Sequence, residues 1–208
     1  KINLIAVDEA HCISEWGHNF RPAYRNIHRI REISKETTIL ALTATATSNV
    51  IKDIQENLLF KNKNLIKSSL FRSNISYIVD SFKDKKQRLL KILNRIKSST
   101  IIYVETRKKS KDLTNFLIKN KLSANYYHAG LSIDEKNKRQ EEWSKNNIRI
   151  MVATNAFGMG INKKDVKLVV HMYLPSTIES YFQEAGRAGR NDKLAYAYLL
   201  ANSSDIIK

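Results

Sequence analysis

Two adjacent carboxylates, Asp8 and Glu9, directly follow the apolar run Ile2–Val7, which has the composition of a buried β-strand. In open α/β sheets, ligands bind beyond the carboxyl ends of the strands. One carboxylate there can hold a hydrated magnesium ion, and the next can orient or deprotonate an attacking water. We therefore assign the metal role, through water, to Asp8 and the water role to Glu9. The alternative is a pair of acidic residues that only caps the start of a helix.

The segment that reads QEAGRAGR, near the end of the chain, carries a second chemical pattern. Ser176 and Glu179 predict a capping box that begins a helix, and this helix would place Gln183, Arg187 and Arg190 on one face. Two arginines presented together can stabilise the charge that develops on a transferring phosphoryl group. Each of the two glycines would cost about 1 kcal/mol inside a helix, which argues against a purely structural role. The alternative is a solvated basic face.

A third pattern follows the predicted strand at 148–153, where Thr154 is followed by Gly158, Gly160 and Asn162. Glycines at such a position let the backbone approach a phosphate or a nucleotide closely. A Gly-x-Gly pair alone is weak support for a nucleotide site, and its place after a strand strengthens it.

Aromatic residues and an arginine interleave between Trp16 and Tyr24. Aromatic faces stack on unpaired bases at about 1–3 kcal/mol per base, and Arg21 offers phosphate or cation–π contacts. An aromatic cluster that seats a loop on the core is an equally good interpretation. The hydroxylated segment around Thr43 and Thr45 could supply movable hydrogen bonds, but an ordinary strand end explains it as well.

These residues need a scaffold of alternating strands and helices, and this alternation predicts an α/β fold with a mostly parallel sheet. A boundary falls near residues 72–84, where the periodicity breaks. The first part then offers about two strands, and the second part has a normal domain size. The predicted strands are 2–7, 38–43, 75–80, 100–104, 124–127, 148–153 and 166–172, and the predicted helices are 20–34, 48–58, 84–97, 107–120, 134–145 and 176–188.

The charge of the chain indicates a polyanionic partner. Its 208 residues include 36 Lys and Arg against 20 Asp and Glu, a formal charge of +16, and residues 83–121 hold much of the excess. That stretch predicts a surface that tracks phosphates, with solvated helix faces as the alternative. The single cysteine excludes an internal disulfide and a multi-cysteine zinc site. No apolar run reaches the roughly 18 residues of a membrane span.

Taken in order, six segments resemble the RecQ family of superfamily 2 DNA helicases. They are the DEAH box at 8–11 with the residues CIS that follow it, the aromatic loop at 16–24, LTATA at 42–46, YHAGL at 127–131, AFGMGINK at 156–163 and YFQEAGRAGR at 181–190. The similarity covers nearly the whole chain.

The resemblance implies RecA-like parallel sheets flanked by helices, with residues 1–73 as the C-terminal part of a first motor domain and 74–208 as a near-complete second one. It implies an ATP-driven enzyme that moves 3′ to 5′ on single-stranded DNA and unwinds duplexes in repair and recombination. His11 would couple hydrolysis to movement, and Arg187 and Arg190 would be arginine fingers. The implied nucleotide residues are Asp8, Thr154, Gly158, Gly160, Asn162, Arg187 and Arg190, and the implied DNA-contacting residues are Trp16, His18, Phe20, Arg21, Tyr24, Thr43, Thr45 and His128.

The chain also departs from the family pattern. It contains no Gly-x-x-x-x-Gly-Lys-Ser/Thr loop, so we expect a fragment that is inactive by itself. Zinc is expected only in a region downstream of residue 208. The expected cofactors are ATP and Mg²⁺, and the expected partners are single-stranded and duplex DNA. We expect a monomer without a membrane partner, in the bacterial cytoplasm at the nucleoid. The rivals are an RNA helicase of the DEAH/DEAD group and a non-catalytic nucleic-acid-binding module.

Overall fold

The structure, a computed structural model, describes residues 2–15, 20–69, 71–158, 161–202 and 205. The chain forms two compact units. The first comprises Lys1–Phe71 together with Thr177–Gln183, and the second comprises Arg72–Ser176 and Glu184–Lys208.

The first unit is built on two parallel strands, as the sequence predicts. Strand β1 (Leu4–Val7) pairs with β2 (Thr38–Ala41). A 3₁₀ turn at Ala10–Ile13 follows β1, and α3 (Ser48–Asn57) follows β2. The core between them consists of Val7, Ala10, Ile13, Ile39, Val50, Ile54 and Leu58.

The prediction of one continuous helix over 20–34 is wrong. This stretch is divided into α1 (Pro22–Arg25), a 3₁₀ turn at Asn26–Arg29 and α2 (Ile30–Ile33). The apolar residues Tyr24, Ile27 and Ile30 pack against the core at a strict spacing of three. A 3₁₀ turn has three residues per turn, so it keeps such a series in line, whereas a helix of 3.6 residues per turn does not.

The second unit is a six-stranded sheet with the strand order β3-β8-β7-β4-β6-β5. Every neighbouring pair is parallel, which confirms the predicted α/β fold. The elements are β3 (Ile75–Ser81), α4 (Lys85–Arg95), β4 (Ser99–Tyr103), α5 (Arg107–Lys119), β5 (Ala124–Tyr127), α6 (Ile133–Ser144), β6 (Ile150–Ala153), β7 (Val166–His171), and β8 (Ala195–Ala201), which the sequence analysis missed.

Helices cover both faces of this sheet. Ile102 and Val104 pack against α4 and α5, and Tyr103 packs on the opposite face with Trp143 and Phe157. Because all six strands are parallel, their carboxyl ends lie at one edge. This edge therefore carries the residues that follow β4, β5 and β6, where the sequence predicts functional side chains.

The helix predicted at 176–188 is shorter than expected. Helix α7 spans Ile178–Ala185, and its first turn is capped by the Thr177 hydroxyl, which accepts a hydrogen bond from the backbone N–H of Ser180 at 3.1 Å. The predicted capping box at Ser176 is therefore wrong by one residue. The helix ends before the glycines, so Arg187 and Arg190 lie beyond it and the predicted single helical face is wrong.

Candidate functional site

The two carboxylates lie at the turn that follows β1. Glu9 adopts a left-handed backbone conformation with φ 50°, which is uncommon for a residue other than glycine and marks a constrained turn. Asp8 is exposed, and its Oδ1 accepts the backbone N–H of Glu9 at 2.8 Å. Mg²⁺ is held in proteins by one or two carboxylates and keeps several waters. An exposed carboxylate such as Asp8 fits an ion held through water.

His11 connects Glu9 to the segment that follows β2. Its ring is buried, and Nδ1 lies 3.0 Å from Oγ1 of Thr43 and 3.3 Å from Oε2 of Glu9. The Thr43 hydroxyl donates its only hydrogen to the carbonyl of Thr45, so it must accept one from His11. Nδ1 of His11 therefore carries a proton, on the side of the ring that the Glu9 carboxylate approaches.

Backbone hydrogen bonds fix this arrangement. The N–H of Leu42 donates to the carbonyl of Val7 at 2.8 Å, and the N–H of Ala10 donates to the carbonyl of Leu42 at 2.9 Å. Thr43 and Thr45 are thus held against the residues that follow β1. The structure brings Thr43, which lies in a separate segment of the sequence, to Glu9 and His11 of the DEAH segment.

The structure describes only part of the aromatic loop. Trp16 and His18 lie outside the described residues. The guanidinium of Arg25 lies 5.1 Å from the ring of Phe20, and that of Arg21 lies 6.0 Å from the ring of Tyr24. Tyr24 also packs against the core of the first unit, which supports the structural interpretation for this residue. DNA contact by these side chains stays a prediction.

In the second unit, the two arginines hold the loop that follows Thr154. Arg187 is buried and donates to the carbonyl of Gly158. Gly158 has φ 146°, and a Cβ there would overlap the Arg187 guanidinium, so a glycine is required. Arg190 donates to the carbonyl of Ile161 at 2.7 Å and to Oδ1 of Asn162 at 3.4 Å.

This region of the second unit is strongly positive. Burial lowers the pKa of Arg190, and the charges of Arg187 and Arg72 lower it further. Arg190 therefore lies close enough to both of these guanidinium groups to be repelled by them. A phosphate placed among them would relieve that repulsion, because arginine presents donors that match phosphate oxygens.

Thr154 and His128 lie at the carboxyl ends of β6 and β5. Thr154 is buried, and its N–H donates to the carbonyl of Tyr127 at 3.2 Å. His128 is 4% exposed, and its ring stacks on Tyr126 at 5.6 Å. Burial lowers the pKa of His128, and the charges of Lys111, Arg107 and Arg139 lower it further.

Two of the predicted site residues are not placed in this arrangement. Gln183 lies in α7, near its end, and is half-buried. Gly160 falls outside the described residues. The assignment of both to ATP chemistry stays a prediction.

A buried contact between His171 and Glu184 and the hydrogen bonds of Arg72 were not predicted from the sequence. His171 Nε2 lies 2.9 Å from Oε2 of Glu184, and the His171 ring stacks on Tyr103. Glu184 lies within QEAGRAGR, so its segment was noticed but its partner was not. Arg72 donates to backbone carbonyls of Gly186 and Gly189. Its segment was noted only as a break in periodicity.

Two absences characterise the part of the chain that the structure describes. No helix in this part of the chain is long and apolar enough to cross a membrane. Over the same residues, no group of three or more His, Cys, Asp and Glu side chains is arranged to hold a metal ion.

Family comparisons agree with this fold. The helicase conserved C-terminal domain matches residues 84–192, which is more than half of the chain, and the DEAD/DEAH box helicase family matches residues 1–54. The chain therefore belongs to the helicases that carry this conserved C-terminal domain.

Individual relatives indicate which kind of helicase the chain resembles. The chain is 40% identical over 208 residues to the ATP-dependent DNA helicase RecQ of Bacillus subtilis, of which it covers 35%. It is 45% identical over 208 residues to a putative ATP-dependent RNA helicase of Acanthamoeba polyphaga mimivirus, of which it covers 38%. In both alignments 99% of this chain is covered. The resemblance to RecQ helicases is confirmed, and the chain spans little more than a third of these relatives.

A solved structure confirms the RecA-like fold. Saccharomyces cerevisiae Dbp5, bound to RNA and ADP BeF3, superposes with a TM-score of 0.82 at 19% identity. The superposition covers 100% of this chain and 55% of that one. At this identity the likeness concerns the fold alone.

Proposed function

We propose that this chain is the motor part of a RecQ-type ATP-dependent DNA helicase that moves 3′ to 5′ on single-stranded DNA in repair and recombination. The observation that carries the proposal is the contact of Glu9 with His11, which in turn is hydrogen-bonded to Thr43. ATP and Mg²⁺ are the proposed cofactors. We also propose that the protein is a monomer in the bacterial cytoplasm, where it is associated with the nucleoid.

Glu9 is the proposed general base. Its carboxylate would accept a proton from the water that attacks the γ-phosphate, and Asp8 would hold the Mg²⁺ that neutralises the phosphate oxygens. A shift of the Glu9 carboxylate on protonation would change its contact with His11. Because His11 donates to Thr43, such a change passes directly to the Leu42–Thr47 segment.

Arg187 and Arg190 are the proposed stabilisers of the charge that develops on the γ-phosphate. Arginine supplied to a phosphoryl transfer is worth about 10³–10⁵ in kcat. Both side chains are held at the Gly158–Asn162 loop by backbone carbonyls. These carbonyls are neutral acceptors, so a phosphate can compete for the guanidinium donors.

The decisive experiment is the ATPase rate of the full-length protein with and without single-stranded DNA. Glu9→Gln removes the base but keeps the shape, so kcat should fall by about 10²–10⁴ while ATP binding persists. Glu56→Gln, an exposed glutamate on α3 of the same unit, is the matched control and should retain wild-type turnover. No DNA stimulation, or full activity of Glu9→Gln, would refute the proposal.

A second candidate, an RNA helicase, has a specific observation in its favour. The mimivirus relative at 45% identity is named a putative RNA helicase. Competition between equal lengths of single-stranded DNA and RNA for stimulation of the ATPase decides between the two. We expect DNA to be the better activator, because the aromatic loop and the AFGMGIN segment resemble the DNA branch.

A further inference from the structure

Arg72 and Asn74, just before β3, are hydrogen-bonded to the turn at 186–189, which contains Arg187 and is directly followed by Arg190. Arg72 donates from Nη1 to the carbonyl of Gly186 at 3.0 Å and from Nη2 to the carbonyl of Gly189 at 2.6 Å. A third, longer bond reaches the carbonyl of Ala188 at 3.4 Å. One guanidinium therefore spans the whole turn from 186 to 189.

Asn74 adds further hydrogen bonds to the same turn and to the residues that follow it. Its Nδ2 donates to the carbonyl of Gly189 at 2.7 Å and to that of Lys193 at 3.1 Å. Its own carbonyl accepts the N–H of Ala195 at 2.9 Å, at the start of β8. The turn is thus attached to the paired strands β3 and β8.

Gly189 allows Asn74 to approach the turn closely. Gly189 has φ 65°, and a Cβ there would lie 2.6 Å from Nδ2 of Asn74. The left-handed backbone and the close approach of Asn74 both require a residue without a side chain.

We propose that Arg72 and Asn74 are positioning residues that set where Arg187 and Arg190 present their guanidinium groups during ATP hydrolysis. This inference rests on the proposed function of those two arginines. Arg187 lies within the turn at 186–189 and Arg190 directly follows it, so a displacement of this turn displaces both side chains. A misplacement of about 1 Å can cost 10²-fold in rate.

Geometry and charge can be separated at Arg72. Its charge lies close enough to Arg190 to affect that side chain, so an alanine would change the field as well as the turn. Lysine keeps the charge but offers a single ammonium that cannot reproduce the fork spanning these carbonyls. Arg72→Lys therefore tests the hydrogen bonds to the turn, and Arg72→Ala tests the hydrogen bonds and the charge together.

The experiment measures kcat and KM for ATP, with single-stranded DNA, on the full-length protein carrying Arg72→Lys, Arg72→Ala or Asn74→Ala. Arg149 is the matched control, because it is a half-buried arginine of the same unit that donates to the carbonyls of Leu93 and Ile96. We expect Arg72→Lys to lower kcat at least tenfold with KM within twofold, and Arg149→Lys to leave both unchanged. ADP with aluminium fluoride should bind more weakly to the Arg72 variants, and ADP alone should bind as in wild type.

A multiple-variant cycle shows whether Arg72 acts through Arg187 and Arg190. On a background that carries both Arg187→Ala and Arg190→Ala, Arg72→Lys should lower kcat less than twofold further, because residues that act as a unit are not additive. A full tenfold loss on that background would overturn the proposal. So would wild-type kcat in Arg72→Lys and Asn74→Ala, or equal losses in the Arg149 variant.

The controls also separate this inference from the proposed function. If Arg187→Ala itself leaves kcat unchanged, the proposed role of the arginines fails. If Arg187→Ala lowers kcat and Arg72→Lys does not, only the positioning role fails. Thermal unfolding of each variant identifies misfolding, and Asn74→Ala decides the question if an Arg72 variant unfolds.

Discussion

Glu9 stands out among the single residues, because its backbone is left-handed and its carboxylate approaches His11. The sequence marks Glu9 and His11 as functional through the DEAH segment, but it does not reveal that His11 is hydrogen-bonded to Thr43. That contact depends on two distant backbone hydrogen bonds that align the ends of β1 and β2. Tertiary pairing of this kind has no signal in local sequence.

His128 provides a test at the residue scale. Burial and the charges of Lys111 and Arg107 lower its pKa from the ordinary value of 6.5. The folded chain thus binds this proton less readily than the unfolded chain, so the contribution of His128 to stability falls as the pH drops through 6.5. NMR titration of the ring should give a pKa below 6.5, and Lys111→Ala should raise it.

The control for this titration lies on the same helix. Lys119→Ala removes an equal charge from the far end of α5 and should leave the pKa of His128 unchanged. Added DNA should raise that pKa if phosphates contact the ring, because an anion favours the charged form. A pKa at or above 6.5 without DNA would contradict the account.

Helix α5 shows how charge is placed at the scale of an element. Its first five residues include Arg107, Lys108, Lys109 and Lys111, and its first turn has no acidic residue. Cations at a helix N-terminus oppose the macrodipole, typically by 0.3–1 kcal/mol each. This arrangement weakens the helix by itself, and it favours a functional reason for the charges over a solvated face.

We predict that Lys108, Lys109 and Lys111 contribute salt-dependent DNA affinity. Their replacement by glutamine should reduce the slope of log K against log salt by up to about 2, because each phosphate contact to single-stranded DNA contributes roughly 0.7. The matched control replaces three exposed cations near the end of α4, namely Lys91, Arg95 and Lys97. An unchanged slope in the α5 variant would return these lysines to the solvated-face interpretation.

Elements with clear periodicity were predictable, and their ends were not. The seven predicted strands and the helices at α3 to α6 are present near their expected positions. Strand β8 was missed although its Ala-Tyr-Ala-Tyr alternation is typical of a strand. Helix α7 begins at a hydroxyl cap, Thr177, and ends before Gly186. Residue type alone does not decide between Ser176 and Thr177 as the cap.

At the scale of the whole molecule, the carboxylates and the arginines belong to different compact units. The family comparisons identify the helicase class. What the sequence does not contain is the phosphate-binding Gly-x-x-x-x-Gly-Lys-Ser/Thr loop.

This leads to a prediction for the 208-residue chain alone. Without that loop, purified residues 1–208 should hydrolyse ATP at a negligible rate, with or without DNA, in a phosphate-release assay. Full-length protein in the same assay is the control. Robust turnover by the isolated chain would contradict this expectation. An intact phosphate-binding loop in the upstream sequence would support the enzyme, and its absence would support a non-catalytic nucleic-acid-binding module.

The most direct test of the central claim is strand separation by the full-length protein. Two duplexes of identical sequence, one with a 3′ single-stranded tail and one with a 5′ tail, are incubated with ATP and Mg²⁺. The account predicts unwinding of the 3′-tailed duplex, much less of the 5′-tailed one, and none by Glu9→Gln. Failure to unwind either duplex, or unwinding that continues without ATP, would contradict it.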